Sequence, residues 1–322
     1  MRASTAARSS AKSAASRSTA LGVPAASLAG PTAGPKRPPL ALTSEQNDAG
    51  GSKAGQGAFR RSRGRVARAR MAQPEVTEDA IFGGRIRIRQ PARGYRVNVD
   101  TLLLAAALQQ ERVDAGRIAE PCCGVGAGLL AAAASATNSG GIEFVGIERD
   151  PLFAQLAREN VELNAQAHRI RIVEADALDP NADFGVFDCV FFNPPYDSGK
   201  DGRLPAAEKR AAFVADRPIG DWIKIWSNRM TANASLTLIH RAHKLEEILR
   251  ALEGRLGGVE VFPIRPNANA EARRIIVRAW KGSRAPLKLF AGLDLHPLGD
   301  AKDKYTPQAD AILRGEARLQ LG

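Results

Sequence analysis

Asn193, Pro194, Pro195 and Tyr196 stand together in the stretch "FFNPPY", and their order suits one chemical task. Proline fixes its own φ and drives the residue before it towards extended backbone, so this turn is stiff and open. A planar NH2 group on an aromatic ring is a poor nucleophile, because its lone pair is delocalised into the ring. Two acceptors at fixed geometry, the Asn193 side-chain oxygen and the Pro194 carbonyl, can take its two N–H bonds and free the lone pair for in-line attack. No general base with a shifted pKa is required. Tyr196 can stack on the ring that carries the amine, a contact of about 1–3 kcal/mol per base.

A second group of residues points to a bound nucleoside. In "EPCCGVGAG", Gly124, Gly126 and Gly128 alternate where a strand passes into a helix, which lets backbone turn sharply and approach a ligand at a helix N-terminus. Leu129 stands where a G-x-G-x-x-G fingerprint requires its third glycine, so the dinucleotide pattern is not met. Glu148 closes the next strand, where a carboxylate can accept bonds from both hydroxyls of a ribose. Asp176, in "EADAL", follows the third strand and can accept a hydrogen bond from the amino group of an adenine.

The elements that must position these residues alternate between strand and helix. "FGGRIRIRQPARGYRVNVD" reads as a short hairpin or pair of strands, and "TLLLAAALQQ" as a helix with Asp100 as its N-cap. "RIAEPC", "IEFVGIE", "RIRIVEAD", "VFDCVFFN" and "ASLTLIH" read as strands. Between them lie the helices "GAGLLAAAASAT", "DPLFAQLARENVELNAQ" with Asp150 and Pro151 at its start, and "IGDWIKIWSNRM". "KLEEILRALEG" is a helix closed by Gly254, and "GVEVFPI" and "ARRIIVRAW" form a terminal antiparallel hairpin. The expected fold is α/β, a mostly parallel sheet with helices on both faces, whose ligands sit at the strand carboxyl ends near the topological switch point.

Composition bounds the function class. With 322 residues and 44% hydrophobic content, the chain can build one or two domains with a real core. Its charge of +12 is concentrated: residues 1–70 hold 13 Lys/Arg against Glu45 and Asp48, leaving +1 for the other 252. That segment has one aromatic, Phe59, and no apolar periodicity, so it is expected to be a disordered basic tail. Three readings stay open for it: a nucleic-acid-binding arm, a targeting peptide, or an extension upstream of a start at Met71. The ordered domain is expected over residues 71–322. Three cysteines without a C-x-x-C pair and four scattered histidines argue against a structural metal and for a reducing cytoplasm. No apolar run approaches the roughly 20 residues that span a bilayer.

The glycine turn, the acid after the second strand, the "EADAL" aspartate and "NPPY" together resemble the class I S-adenosylmethionine-dependent methyltransferases that act on planar nitrogen. "GYRVNVDTLLLAAAL", "LIHRA" and "RRIIVRAWKGSRAPLKL" are similar to the bacterial tRNA1(Val) (adenine-37)-N6-methyltransferases of the small-domain group. The resemblance covers about residues 80–313 and implies a Rossmann-like, seven-stranded sheet, S-adenosylmethionine as cofactor, and RNA, first of all tRNA, as partner. It places Glu120, Cys122, Gly124, Gly126, Glu148, Asp176, Ala177 and Asn193 around the cofactor, and Asn193, Pro194, Pro195 and Tyr196 at the reacting amine. The family turn usually reads D-x-G-x-G-x-G, so Glu120 and Cys122 depart from it. "NPPY" also occurs in enzymes that methylate guanine N2 or a glutamine amide, and a non-catalytic RNA-binding protein could retain the fold.

The remaining polar and aromatic residues are read as follows. Cys122, Cys123 and Cys189 pack; Trp222 and Trp226, four apart, form one buried helix face. His240 and His243 are structural or contact RNA. Arg265, Arg273, Arg274, Lys281, Arg284 and Lys288 make the C-terminal hairpin basic, as either a phosphate-contacting surface or a solvated strand face.

Overall fold

The computed structural model describes residues 75–94, 96–108, 116–136, 141–196, 217–299 and 302–319. The basic tail lies outside them, and so do the readings made for it. β1 (Val76–Ile81) and β2 (Ile86–Pro91) pair as an antiparallel hairpin, followed by α1 (Val99–Ala106). The sheet strands are β3 (Gly116–Pro121), β4 (Ile142–Glu148), β5 (Ile170–Glu174), β6 (Phe187–Phe192), β7 (Met230–Arg241), β8 (Leu256–Arg265) and β9 (Arg274–Lys281). α2 (Ala127–Ser135), α3 (Pro151–Leu163), α4 (Ile219–Asn228) and α5 (Leu245–Leu252) connect them. The short β10 (Lys288–Leu289) and β11 (Leu293–Asp294) and the helix α6 (Pro307–Leu313) follow.

Seven strands run in the order β8-β9-β7-β6-β3-β4-β5, with β10 and β11 added beside β8. β9 alone runs antiparallel to its neighbours β7 and β8, so the expected terminal hairpin is part of the sheet. The order reverses at β3, which lies between β4 and β6. That switch point opens a crevice at the carboxyl ends of β3, β4 and β6. Parallel strands covered on both faces need near-continuous apolar runs, which "IEFVGIE" and "FDCVFF" provide. α1, α2, α3, α6 and the hairpin pack one core, and α4 and α5 the other, where Trp222 and Trp226 are buried as one face.

Two local expectations are corrected. The cap of α1 is Asn98, whose side chain accepts the Thr101 N–H, while Asp100 lies inside the first turn. The hairpin also begins earlier than read: β1 precedes the Phe82–Arg85 turn, and its burial alternates between exposed and intermediate, so it carries little apolar signal. Its backbone ladder to β2 holds it, with exposed ion pairs alongside: Glu78 with Arg87 and Arg89, and Asp79 with Arg96. Much of the C-terminal basic set is likewise engaged internally. Arg265 pairs with Asp294, Lys281 donates to the carbonyls of Ser227 and Met230, and Lys288 approaches Glu260, whereas Arg273 and Arg284 are exposed.

α2 seats against β3 through a buried carboxyl. Glu120 is 3% exposed, and a Cβ on Gly128 would come within 2.1 Å of its Oε1. Gly128 is therefore required for close approach. Burial pushes the Glu120 carboxyl well above the usual carboxylate range, with the nearby Glu148 charge adding and the Leu129 N–H opposing. Near the other end of the strands, Arg278 and Glu260 form an ion pair at 1% and 5% exposure, with Nε to Oε2 at 3.0 Å.

Removing one partner of that pair leaves a buried charge, so Glu260→Ala should cost about 3–5 kcal/mol in urea unfolding, while Arg278→Met with Glu260→Leu recovers most of it. Equal losses in the single and double variants would show that the pairing is not the cause. Folded Glu120 keeps a proton that the unfolded chain releases above its ordinary pKa of 4.5, so stability declines as pH rises through the folded value. Glu120→Gln should flatten that decline in unfolding curves taken across pH, and a slope identical to wild type would refute the assignment.

Candidate active site

The crevice holds a cavity of about 340 Å³. Its first wall is the turn after β3. Cys122, Gly124 and Gly126 all have positive φ, at 55°, 55° and 82°. Gly126 caps α2 in the left-handed region, and a Cβ there would just meet the Cβ of Ala157 in α3 at 3.4 Å, so its φ and not crowding calls for glycine. For Cys122 the same backbone region costs an L-residue roughly 1–2 kcal/mol. Its Sγ donates to the Asn193 carbonyl at 3.6 Å, which joins this turn to the "NPPY" turn.

The second wall is Glu148, 7% exposed at the end of β4. Oε2 accepts the Gly124 N–H at 2.8 Å and Oε1 accepts the Asp150 N–H at 2.9 Å. Burial raises its pKa, and those two backbone donors oppose the shift. Each oxygen retains acceptor capacity for a ligand hydroxyl. Beyond β5, Asp176 accepts the Leu178 N–H through Oδ1 and lines the cavity with Ala177 and Leu178. Ile147 and Phe153 add apolar surface between the two carboxylates.

The third wall is the end of β6. Asn193, Pro194, Pro195 and Tyr196 all line the cavity. Tyr196 is 8% exposed, and its hydroxyl lies against Asn193 Oδ1 and 3.4 Å from Asp100 Oδ2. Its ring meets His240 edge-on, with centroids 4.9 Å apart, while the Arg274 guanidinium lies 5.4 Å from its centroid. Arg274 Nε in turn donates to Asp100 Oδ2 at 2.9 Å. His240 is buried, and burial together with the charges of Lys244, Arg241 and His243 lowers its pKa to about 4. It is neutral at physiological pH, in keeping with a structural role.

The crevice thus brings together Cys122, Gly124, Glu148, Asp176, Ala177, Asn193, Pro194, Pro195 and Tyr196. Glu120 lies behind the turn under α2, and Gly126, the cap of α2, is on the side of Ala157 in α3; neither lines the cavity. Sequence reasoning did not find Asn98, Phe153 and Trp222 as cavity walls, nor Asp100 and Arg274 as partners of Tyr196. Phe153 could have been placed from its position just after the Asp150 cap; the Asp100–Arg274 pair spans 174 residues and left no local signal. Among the described residues, no group of three or more His, Cys, Asp or Glu could hold a metal ion, and no helix is long and apolar enough to cross a membrane.

Comparison with known proteins bears on the same segment. The family model "Methyltransferase small domain" matches residues 94–243. The tRNA1(Val) (adenine(37)-N6)-methyltransferase of Porphyromonas gingivalis is 26% identical over 230 residues, 70% of this chain and 89% of that protein. The protein of the same name from Actinobacillus succinogenes is 30% identical over 118 residues, 36% of this chain, so the match spans 50% of that relative's length. A crystal structure of a predicted O-methyltransferase from Agrobacterium tumefaciens aligns with TM-score 0.55 and 32% identity, covering 68% of this chain and 97% of that one. The family match takes in the glycine turn, both carboxylate loops and the Asn193 strand end, and the solved relative is covered almost whole: the chain belongs to the small-domain group of class I S-adenosylmethionine-dependent methyltransferases.

Proposed function

We propose that this protein methylates the exocyclic amine of adenine, N6, in an RNA, with a tRNA anticodon loop as its substrate. One observation carries the reading: the stiff Asn193-Pro194 pair lines the same cavity as Glu148 and Asp176. The names of the relatives from P. gingivalis and A. succinogenes support adenine N6 and tRNA.

The lining fits S-adenosylmethionine in chemistry and order. Glu148 offers two acceptor oxygens to a ribose diol, Asp176 offers one to an adenine amino group, and Ile147, Phe153, Ala177 and Leu178 supply the apolar surface between them. The turn at Cys122 and Gly124 would hold the methionine end. A cofactor held there would supply an electrophilic sulfonium methyl for the amine nitrogen, whose displaced proton would pass to solvent. Asn193 Oδ1 and the Pro194 carbonyl hold the two N–H bonds and so localise the lone pair on nitrogen. The Tyr196 ring offers the base a stacking surface, and a base reaches it at least cost from a single-stranded loop.

The acceptor pair recognises a planar amine and not the polymer that carries it, so guanine N2 or a protein glutamine amide is distinguished by product. Labelled S-adenosylmethionine should yield N6-methyladenosine with tRNA. Label in guanosine or in a release factor would transfer the mechanism to another substrate, and no label anywhere would leave a non-catalytic RNA-binding protein.

Asn193→Ala should lower turnover by on the order of 10²–10³ and leave cofactor affinity, read by calorimetry, nearly unchanged. Undiminished turnover would remove the proposed acceptor role. Cys122→Gly should raise stability by about 1 kcal/mol in thermal unfolding, the relief of left-handed strain less the added freedom of glycine in the unfolded chain. A lower melting temperature would mean that the Sγ contact with Asn193 outweighs the strain.

A further inference from the structure

The hydroxyl of Tyr196 has one proton to donate and two acceptors within reach, Asn193 Oδ1 and Asp100 Oδ2. Donated to Asn193, it takes one of the two lone pairs of the oxygen that a target amine requires. Donated to Asp100, it leaves both. Asp100 reaches this position from the first turn of α1, where its side chain is 14% exposed, and the Arg274 guanidinium from β9 holds it at 2.9 Å. A hydrogen bond to an ionised acceptor is roughly twice as strong as one to a neutral amide, so the carboxylate is the better partner once the amine competes for Asn193. His240 on its edge and Arg274 beside it hold the plane of the ring.

We infer that Asp100 is a positioning residue, held by Arg274, that receives the Tyr196 hydroxyl when the target amine takes Asn193 Oδ1. This rests on the methyltransferase reading for its effect on turnover, but the hydrogen bond itself is independent of it. The pair would then link α1 and β9 to the reacting amine through a single rotating O–H, without touching substrate.

The test is a rescue. Asp100→Asn keeps the shape but makes both acceptors neutral amides, so kcat should decrease about tenfold while S-adenosylmethionine affinity stays within about twofold, the scale of exchanging a charged for a neutral partner. Adding Tyr196→Phe to that variant removes the competing hydroxyl and should recover most of the lost kcat. A merely structural Asp100 predicts no recovery, and a double variant no faster than Asp100→Asn overturns the proposal. A second readout uses the full chain labelled with 3-fluorotyrosine, which holds three tyrosines. The ¹⁹F resonance of Tyr196, identified by its loss in Tyr196→Phe, should shift in Asp100→Asn while that of Tyr305 does not. An unmoved Tyr196 resonance overturns the contact. If the wild-type chain methylates nothing and the resonance still moves, the methyltransferase reading fails and the Asp100 contact stands.

Discussion

The Glu148 carboxylate joins the two backbone segments on which the rest of the crevice depends. One oxygen holds the Gly124 N–H of the turn after β3, and the other holds the Asp150 N–H at the start of α3. β3 and β4 are neighbours in the sheet, so their carboxyl ends are already adjacent. The carboxylate converts that adjacency into a fixed mouth. Its burial disfavours the charge, and the two backbone donors offset part of the penalty. The same oxygens keep free lone pairs towards the cavity, so the group that orders the turns is also the one presented to a ligand.

Around that tie, the turn is built under strain. Three residues within five positions take positive φ, and one of them is a cysteine. The strain is tolerated because the turn is bound on three sides: to Glu148 through Gly124, to Asn193 through the Cys122 Sγ, and to α3 through the Asn160 side-chain amide, which donates to the Val125 carbonyl. Glu120 secures it from beneath, in the space that Gly128 leaves over its carboxyl. Cys122, where the family turn usually has glycine, thus takes the left-handed backbone and adds a contact to the opposite half of the site.

Much of this was legible in the residues. The seven strands, the placement of Glu148 and Asp176 at strand ends, and the approach of both to Asn193 follow from apolar runs and the rule that open α/β sheets bind ligands at their carboxyl edge. What was not legible depended on contacts without periodicity. β1 pairs with β2 along an antiparallel ladder but its side chains alternate only between exposed and intermediate burial, so it carried no apolar signal for a strand. Asp100 carried the composition of a cap, but Asn98 two residues earlier fills that role. The carboxylate was thereby left to turn towards Arg274 and Tyr196, partners that only the assembled sheet brings close. Arg278 and Glu260 are similar: on paper each is an ordinary strand charge, and only the register of β8 against β9 makes them a buried pair.

The site resolves a difficulty that stiff acceptors create. An oxygen held ready for an amine is also ready for any nearby donor, and Tyr196, whose ring we propose as the stacking surface, has a hydroxyl in contact with it. A phenylalanine would avoid the competition but would leave Asn193 Oδ1 without a partner in a half-buried turn, at a cost of about 1–3 kcal/mol. A tyrosine with a second, charged acceptor satisfies Asn193 when no amine is present and withdraws when one arrives. Asp100 has the charge for that role, and Arg274 keeps it in place from a strand that begins 78 residues beyond Tyr196 in the chain. The antiparallel β9, which looks like an appendage to a parallel sheet, thus brings a residue to the reacting end of the molecule. Its reversed direction makes that possible, since its first residue lies at the rim where the other strands finish.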